Sequence, residues 1–102
     1  MSEMLGEADY ARELNTKFRV AADTARPVEL ELAEVKGWRS LPVEQGGMER
    51  FSLYFSGPPD VQLPQGSYRL EHERLGALEI FLVPVASTAE AMRYEAVFNF
   101  YR

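Results

Sequence analysis

The side chains that could do chemistry in this sequence are few. There is one histidine, His72, and it stands between Glu71 and Glu73. A histidine beside carboxylates can act as a general acid or base. At strand spacing, however, Glu71 and Glu73 point to the face opposite His72, while His72 shares its face with Tyr68 and Leu70. With no cysteine and no second histidine, the usual metal-ligand sets cannot be assembled. Glu29, Glu31, Glu71 and Glu79 fall at outward strand positions, where solvation and cross-strand pairing with Lys or Arg account for them better than a paired-carboxylate glycosidase site does. Gly46-Gly47 is followed by Met48 instead of the Lys-Ser/Thr of a phosphate loop, and no serine sits in a Gly-x-Ser-x-Gly elbow. The expectation is a non-enzymatic chain with no catalytic, metal or cofactor-binding residue.

Charge and composition narrow the partners. Sixteen acidic against eleven basic residues leave a net charge of -5, and the basic residues are scattered singly. Such a surface repels a phosphate backbone, which argues against nucleic acid. The strongest apolar run, Ile80 to Ala86, contains Pro84 and is far shorter than the ~20 residues of a spanning helix, which argues against a membrane. The absence of cysteine also removes disulfides, and Met1-Ser2-Glu3-Met4 has no basic segment leading into an apolar one, so a cytoplasmic location is expected. At 102 residues with 46% hydrophobic and 12% aromatic content, one domain spanning 1-102 with one core is expected.

The elements that must position any site follow from periodicity. Leu5, Ala8, Ala11 and Leu14 recur every three residues, with Glu3, Glu7 and Asp9 near the start. This predicts a short helix within 1-15, docked on the sheet through Leu5 and Leu14. From Thr16 the period becomes two. Phe18, Val20 and Ala22 define one strand. Val28, Leu30 and Leu32 define a second, in which Val35 joins the same face only through a bulge near Ala33 or Glu34. Gly37 to Gly47 reads as a long loop. Phe51, Leu53 and Phe55 mark a third strand, ended by Gly57-Pro58-Pro59-Asp60.

Leu63-Pro64-Gln65-Gly66 is a turn into a fourth strand, Ser67 to Glu73. Gly76 can close a three-residue hairpin after it. The fifth strand, Ala77 to Val85, is apolar on both faces, which predicts that it is central or covered on both sides. The sixth, Arg93 to Arg102, carries Tyr94, Ala96, Phe98 and Phe100 on one side. The fold expected is mainly β, a six-stranded antiparallel meander or partly closed barrel with a short N-terminal helix.

Tyr54, Phe81, Val83, Val97 and Tyr101 fall on the face away from that core set. If their strands are neighbours they form an apolar patch. Either the N-terminal helix or the 37-47 loop, with Trp38 and Leu41, covers it, or it is a surface for a protein partner or for self-association.

Several segments together resemble a family of small bacterial domains of unknown function. They are Phe51-Ser52-Leu53-Tyr54-Phe55-Ser56-Gly57-Pro58, Leu63-Pro64-Gln65-Gly66-Ser67-Tyr68-Arg69-Leu70-Glu71-His72, Leu75-Gly76, Phe81-Leu82-Val83-Pro84-Val85 and Tyr94-Glu95-Ala96-Val97-Phe98-Asn99. The similarity covers residues 51-99, with a looser echo at Thr16-Lys17-Phe18-Arg19-Val20. The resemblance implies a stand-alone chain of this length, associated with gene neighbourhoods of phage tail and collar-like proteins. It assigns no catalytic residue.

The functional expectation is therefore an interaction or accessory module, linked to phage-tail-like assemblies and binding through the second face. The alternative is a small barrel that holds an apolar small molecule among Phe18, Phe51, Phe55, Tyr68 and Phe98.

Overall fold

The period-two runs form strands because alternation places β-branched and aromatic side chains on one face of a pleated ribbon, where they exclude water together. In the computed structural model, which describes residues 5-21, 27-37 and 48-101, these runs are β1 (Lys17–Val20), β2 (Val28–Gly37), β3 (Met48–Gly57), β4 (Gly66–His72), β5 (Gly76–Ser87) and β6 (Met92–Tyr101), preceded by a helix, α1 (Glu7–Ala11). All strand pairs are antiparallel, and the order β1-β2-β3-β6-β5-β4 closes into a barrel. The connectivity is two three-stranded meanders, β1-β2-β3 and β4-β5-β6, joined by the β3-β6 and β1-β4 ladders. Of the two expected architectures the barrel is the one that forms, and its closure gives every strand two neighbours.

The inward residues meet in a single cluster. Phe18, Leu30, Leu32, Phe51, Leu53, Phe55, Leu70 and Leu82 are fully buried, and Tyr94 nearly so. Phe18 meets Phe55 edge-on at 5.3 Å between ring centroids, and Phe51 stacks on Phe98 at 4.9 Å. The bulge expected near Ala33 is present: the β2-β3 register shifts between Leu32 and Glu34, which returns Val35 to the core side. The expected hairpin closes His72 against Gly76, whose φ of 79° is the left-handed conformation that glycine adopts without a Cβ clash.

Each mouth of the barrel is plugged. At one mouth Tyr10 of α1 packs on Phe51 and Phe98 at 5.9 and 5.6 Å. Helix docking thus differs from the expected leucine stripe: Leu5 is half-buried against the core, but Leu14 is exposed and Tyr10 supplies the anchor. The helix is shorter than expected, running from its N-cap Gly6 to its C-cap Arg12; Asn15, at a positive φ of 68°, then turns the chain into β1, and its N–H donates to Leu32 O at 2.8 Å. At the other mouth Leu63 is buried, and its N–H donates to the Tyr94 hydroxyl at 3.0 Å, which itself reaches Val61 O at 3.3 Å. The Leu-Pro-Gln-Gly segment therefore acts as a stopper tied to β6. The expected loop with Trp38 and Leu41 lies outside the described residues, as does Ala22 of the first expected strand.

Candidate functional site

Two regions bring polar or exposed side chains together. The first lies where α1 meets the β4-β5 hairpin. His72 is inward and its side chain is only 1% exposed, because alternation along β4 places it with Leu70. Its Nδ1 accepts the backbone N–H groups of Arg74 and Leu75 at 3.0 and 3.1 Å. Two donors aimed at Nδ1 fix the ring proton on Nε2. Nε2–H then donates to Thr16 Oγ1 at 2.8 Å, and the Thr16 hydroxyl donates to Glu13 O at 2.6 Å. Both ring nitrogens are thus committed to holding the hairpin against the segment after α1, which leaves neither for a substrate proton. The ring also lies 4.4 Å from Phe18, centroid to centroid.

Glu13, buried beside this histidine, receives the Arg74 guanidinium through Nε at 2.7 Å and Nη2 at 2.6 Å. The Arg74 hydrogen bond holds the Glu13 carboxyl below its ordinary range against the opposing effect of burial. On the outer face of β1 and β4, Arg19 does the same for Glu71, directly across the ladder. Glu71 therefore faces away from His72, as alternation requires, and Lys17 likewise pairs with Glu31 across β1-β2.

A depressed carboxylate pKa stabilises the fold above the unfolded-state pKa, roughly 4.3 for glutamate, and that contribution is lost as pH falls through the folded-state value. The melting temperature is therefore expected to fall on acidification below about pH 4.5. Arg74→Met should reduce the difference between pH 7 and pH 3, measured by circular dichroism melts. An unchanged difference would show that the Glu13–Arg74 pair contributes nothing to acid sensitivity.

The second region is the outer face of β3, β6 and β5. Ser52 and Tyr54 on β3 both donate to Glu95 Oε2 on β6, at 2.9 and 3.1 Å. Arg93 lies 4.6 Å above the Tyr54 ring and pairs with Glu34 at 2.6 Å. Burial and the bond to Glu95 raise the Tyr54 hydroxyl above its ordinary range, so it remains a donor. Periodicity misses this cluster: it assigns Tyr54 to an apolar patch, whereas the ring is half-buried among charges. Ser52 is fully buried even though its strand position faces outward.

Next to this cluster the face turns apolar. Val83 pairs with Glu95 across β5-β6 and is half-buried. Phe81 is 50%, Val85 46% and Val97 66% exposed. Tyr101 closes β6 opposite Met48 in the ladder. The structure therefore brings Tyr54, Val83, Val97 and Phe81 onto adjoining strands. Among the described residues, Phe81 and Val97 are the two most exposed large apolar side chains. The helix does not cover them, since Tyr10 points into the barrel mouth. Of the two alternatives expected for β5, central or covered on both sides, the first holds. It is central, between β4 and β6, but its outer face is open.

Of the aromatics proposed to line a ligand space, Phe18, Phe51 and Phe55 are fully buried against one another or their neighbours, while Tyr68 and Phe98 are half-buried. Two grooves lie on the outside, one across Lys17, Arg19, Glu29 and Glu71 and one over Pro58 to Asp60. Among the described residues no three His, Asp or Glu side chains gather as a metal-binding group, and no helix is long and apolar enough to cross a membrane.

The family described as "Domain of unknown function (DUF6916)" matches residues 5–98, and the chain belongs to it. The match extends well beyond the 51-99 segment that carries the resemblance, and takes in α1 and the whole first meander. Comparison with curated proteins and with solved structures found no match.

Proposed function

We propose that this member of the DUF6916 family is a non-enzymatic interaction or accessory module that binds a protein partner, or a second copy of itself, through the outer face of β5 and β6. The observation that carries the reading is the exposure of Phe81 and Val97 on adjoining strands. A barrel of this size buries its aromatics wherever it can, and an exposed phenylalanine within an apolar strip is what a partner surface offers. The polar border made by Glu95, Tyr54, Arg93 and Glu34 suits the rim of such an interface, where hydrogen bonds set register more than affinity. The resemblance to domains from phage tail and collar-like neighbourhoods suggests such an assembly as the setting, at a cytoplasmic location and without nucleic acid or membrane as ligand.

Phe81→Asp should leave the melting temperature within about 2–3 °C of the parent, since surface substitutions seldom change stability by more than ~0.5 kcal/mol. It should abolish any concentration-dependent dimer or higher species seen by light scattering coupled to size-exclusion chromatography. Where the parent is monomeric at every concentration, self-association is excluded and the face is left to a foreign partner. Association undiminished by Phe81→Asp would remove this face as the contact.

A further inference from the structure

The exposed apolar residues of the outer face lie beside two carboxylates. Glu95 sits at the middle of that face: the ladders set it opposite Tyr54 on β3 and opposite Val83 on β5, with Arg93 and Val97 two residues away on its own strand. Glu79 is exposed and precedes Phe81 by two residues on β5. Among the described residues neither carboxylate is paired with a Lys or Arg. Arg93, next to Glu95 on the outer side of β6, reaches over the Tyr54 ring to Glu34 instead. Arg69, opposite Glu79 in the β4-β5 ladder, has its Nε 3.9 Å from Glu71. Glu95 is nevertheless held in place, because the Ser52 and Tyr54 hydroxyls both donate to its Oε2 and Ser52 is fully buried. A half-buried carboxylate oriented by two hydroxyls, with no counter-charge, has lost hydration that an arriving cation would replace.

We propose that this face receives a foreign protein segment that is apolar at its centre and basic beside it, with an Arg or Lys side chain seated on Glu95 and apolar side chains on Phe81 and Val97. This rests on the interaction reading above and names the partner's chemistry. Charge complementarity selects the occupant. The chain carries a net charge of -5, and Arg69 and Arg93, the cations bordering the strip, already face carboxylates of their own chain. A second copy would therefore set carboxylate against carboxylate, whereas a basic segment is drawn to this face from a distance and fixed in register on Glu95. Glu79 and Val83, the residue that Glu95 faces, are four positions apart on β5 with Phe81 midway between them. At ~3.3 Å per residue that is about 13 Å, so one short segment reaches both carboxylates while covering the phenylalanine.

The test pans a displayed library of random twelve-residue peptides against the full chain and measures the recovered peptides, once synthesised, by fluorescence anisotropy. Recovered sequences should carry more Arg and Lys than the starting library, beside Leu, Phe or Trp. Glu95→Gln keeps an oxygen for Ser52 and Tyr54 to donate to and removes the charge. It should leave the melting temperature unchanged and weaken these peptides about tenfold or more. Glu29→Gln, which removes a charge from β2 instead, should change their binding by less than about twofold, as expected of a charge remote from the contact. No recovered peptide, recovered peptides without a basic excess, or equal binding to the parent and Glu95→Gln would each overturn the proposal. Self-association that Glu95→Gln abolishes would make a second copy the occupant and overturn the foreign segment. Peptides lost on Phe81→Asp but indifferent to Glu95→Gln would sink this inference while leaving the wider interaction reading standing.

Discussion

Phe18→Ala is expected to lower the unfolding free energy by about 3–5 kcal/mol, a large share of what a domain of this size possesses. Phe18 is completely buried, meets Phe55 edge-on and lies against the His72 ring, so truncation removes contacts on two sides. It also sits on β1, a strand of four residues held to β4 by two ladder positions, Arg19↔Glu71 and Val20↔Leu70. Those positions close the barrel, and little backbone pairing remains there to absorb a cavity. Equilibrium urea unfolding gives the measurement, with Phe81→Ala as the exposed comparison, expected to change stability by less than ~1 kcal/mol. A loss below ~1 kcal/mol for Phe18→Ala would mean that the interior around this ring is loosely filled. That outcome would revive the apolar-ligand alternative, because a barrel with spare room is what that reading requires.

What was legible in the sequence is the local part of this fold. Alternation separates Phe51, Leu53 and Phe55 from their neighbours and reveals the bulge after Leu32, and Gly76 marks the hairpin, because each depends on residues within a few positions of one another. The pairings that make a barrel, β3 with β6 and β1 with β4, join residues far apart in sequence, such as Phe51 with Phe98 and Arg19 with Glu71, and leave no local mark.

The candidate site shows the same division. Periodicity puts Phe81 and Val97 on the second face, where they are exposed, but it cannot tell an apolar outer face that is covered from one that is open. It likewise reads Tyr54 as apolar, since the carboxylate that orients it, Glu95, lies across a ladder 41 residues away in sequence. Helix periodicity favours Leu14 over Tyr10 as the anchor only when it is extended to Asn15, where the backbone has already left the helix.

The histidine offers the sharpest separation between a chemical and a structural role. His72→Ala removes an acceptor shared by two backbone N–H groups, a donor to Thr16 and a ring packed on Phe18. Leaving such donors without partners costs about 1–3 kcal/mol, and the lost packing adds to it, so a total of about 2–4 kcal/mol is expected. His72→Asn places a carbonyl oxygen near the position of Nδ1, and should restore acceptance from Arg74 and Leu75 without reaching Thr16. About half the loss should therefore return. The amides of Arg74 and Leu75 report directly: their exchange should be fast in the alanine variant and slow again with asparagine. Equal destabilisation by Ala and Asn, with both amides unprotected, would mean that the hairpin does not depend on this acceptor. Phe81, facing outward on β5, should keep its association in His72→Ala. Loss of protection at Arg74 and Leu75 with retention of Phe81-dependent association in His72→Ala would assign the histidine to holding the hairpin, with the exposed face as a separate determinant.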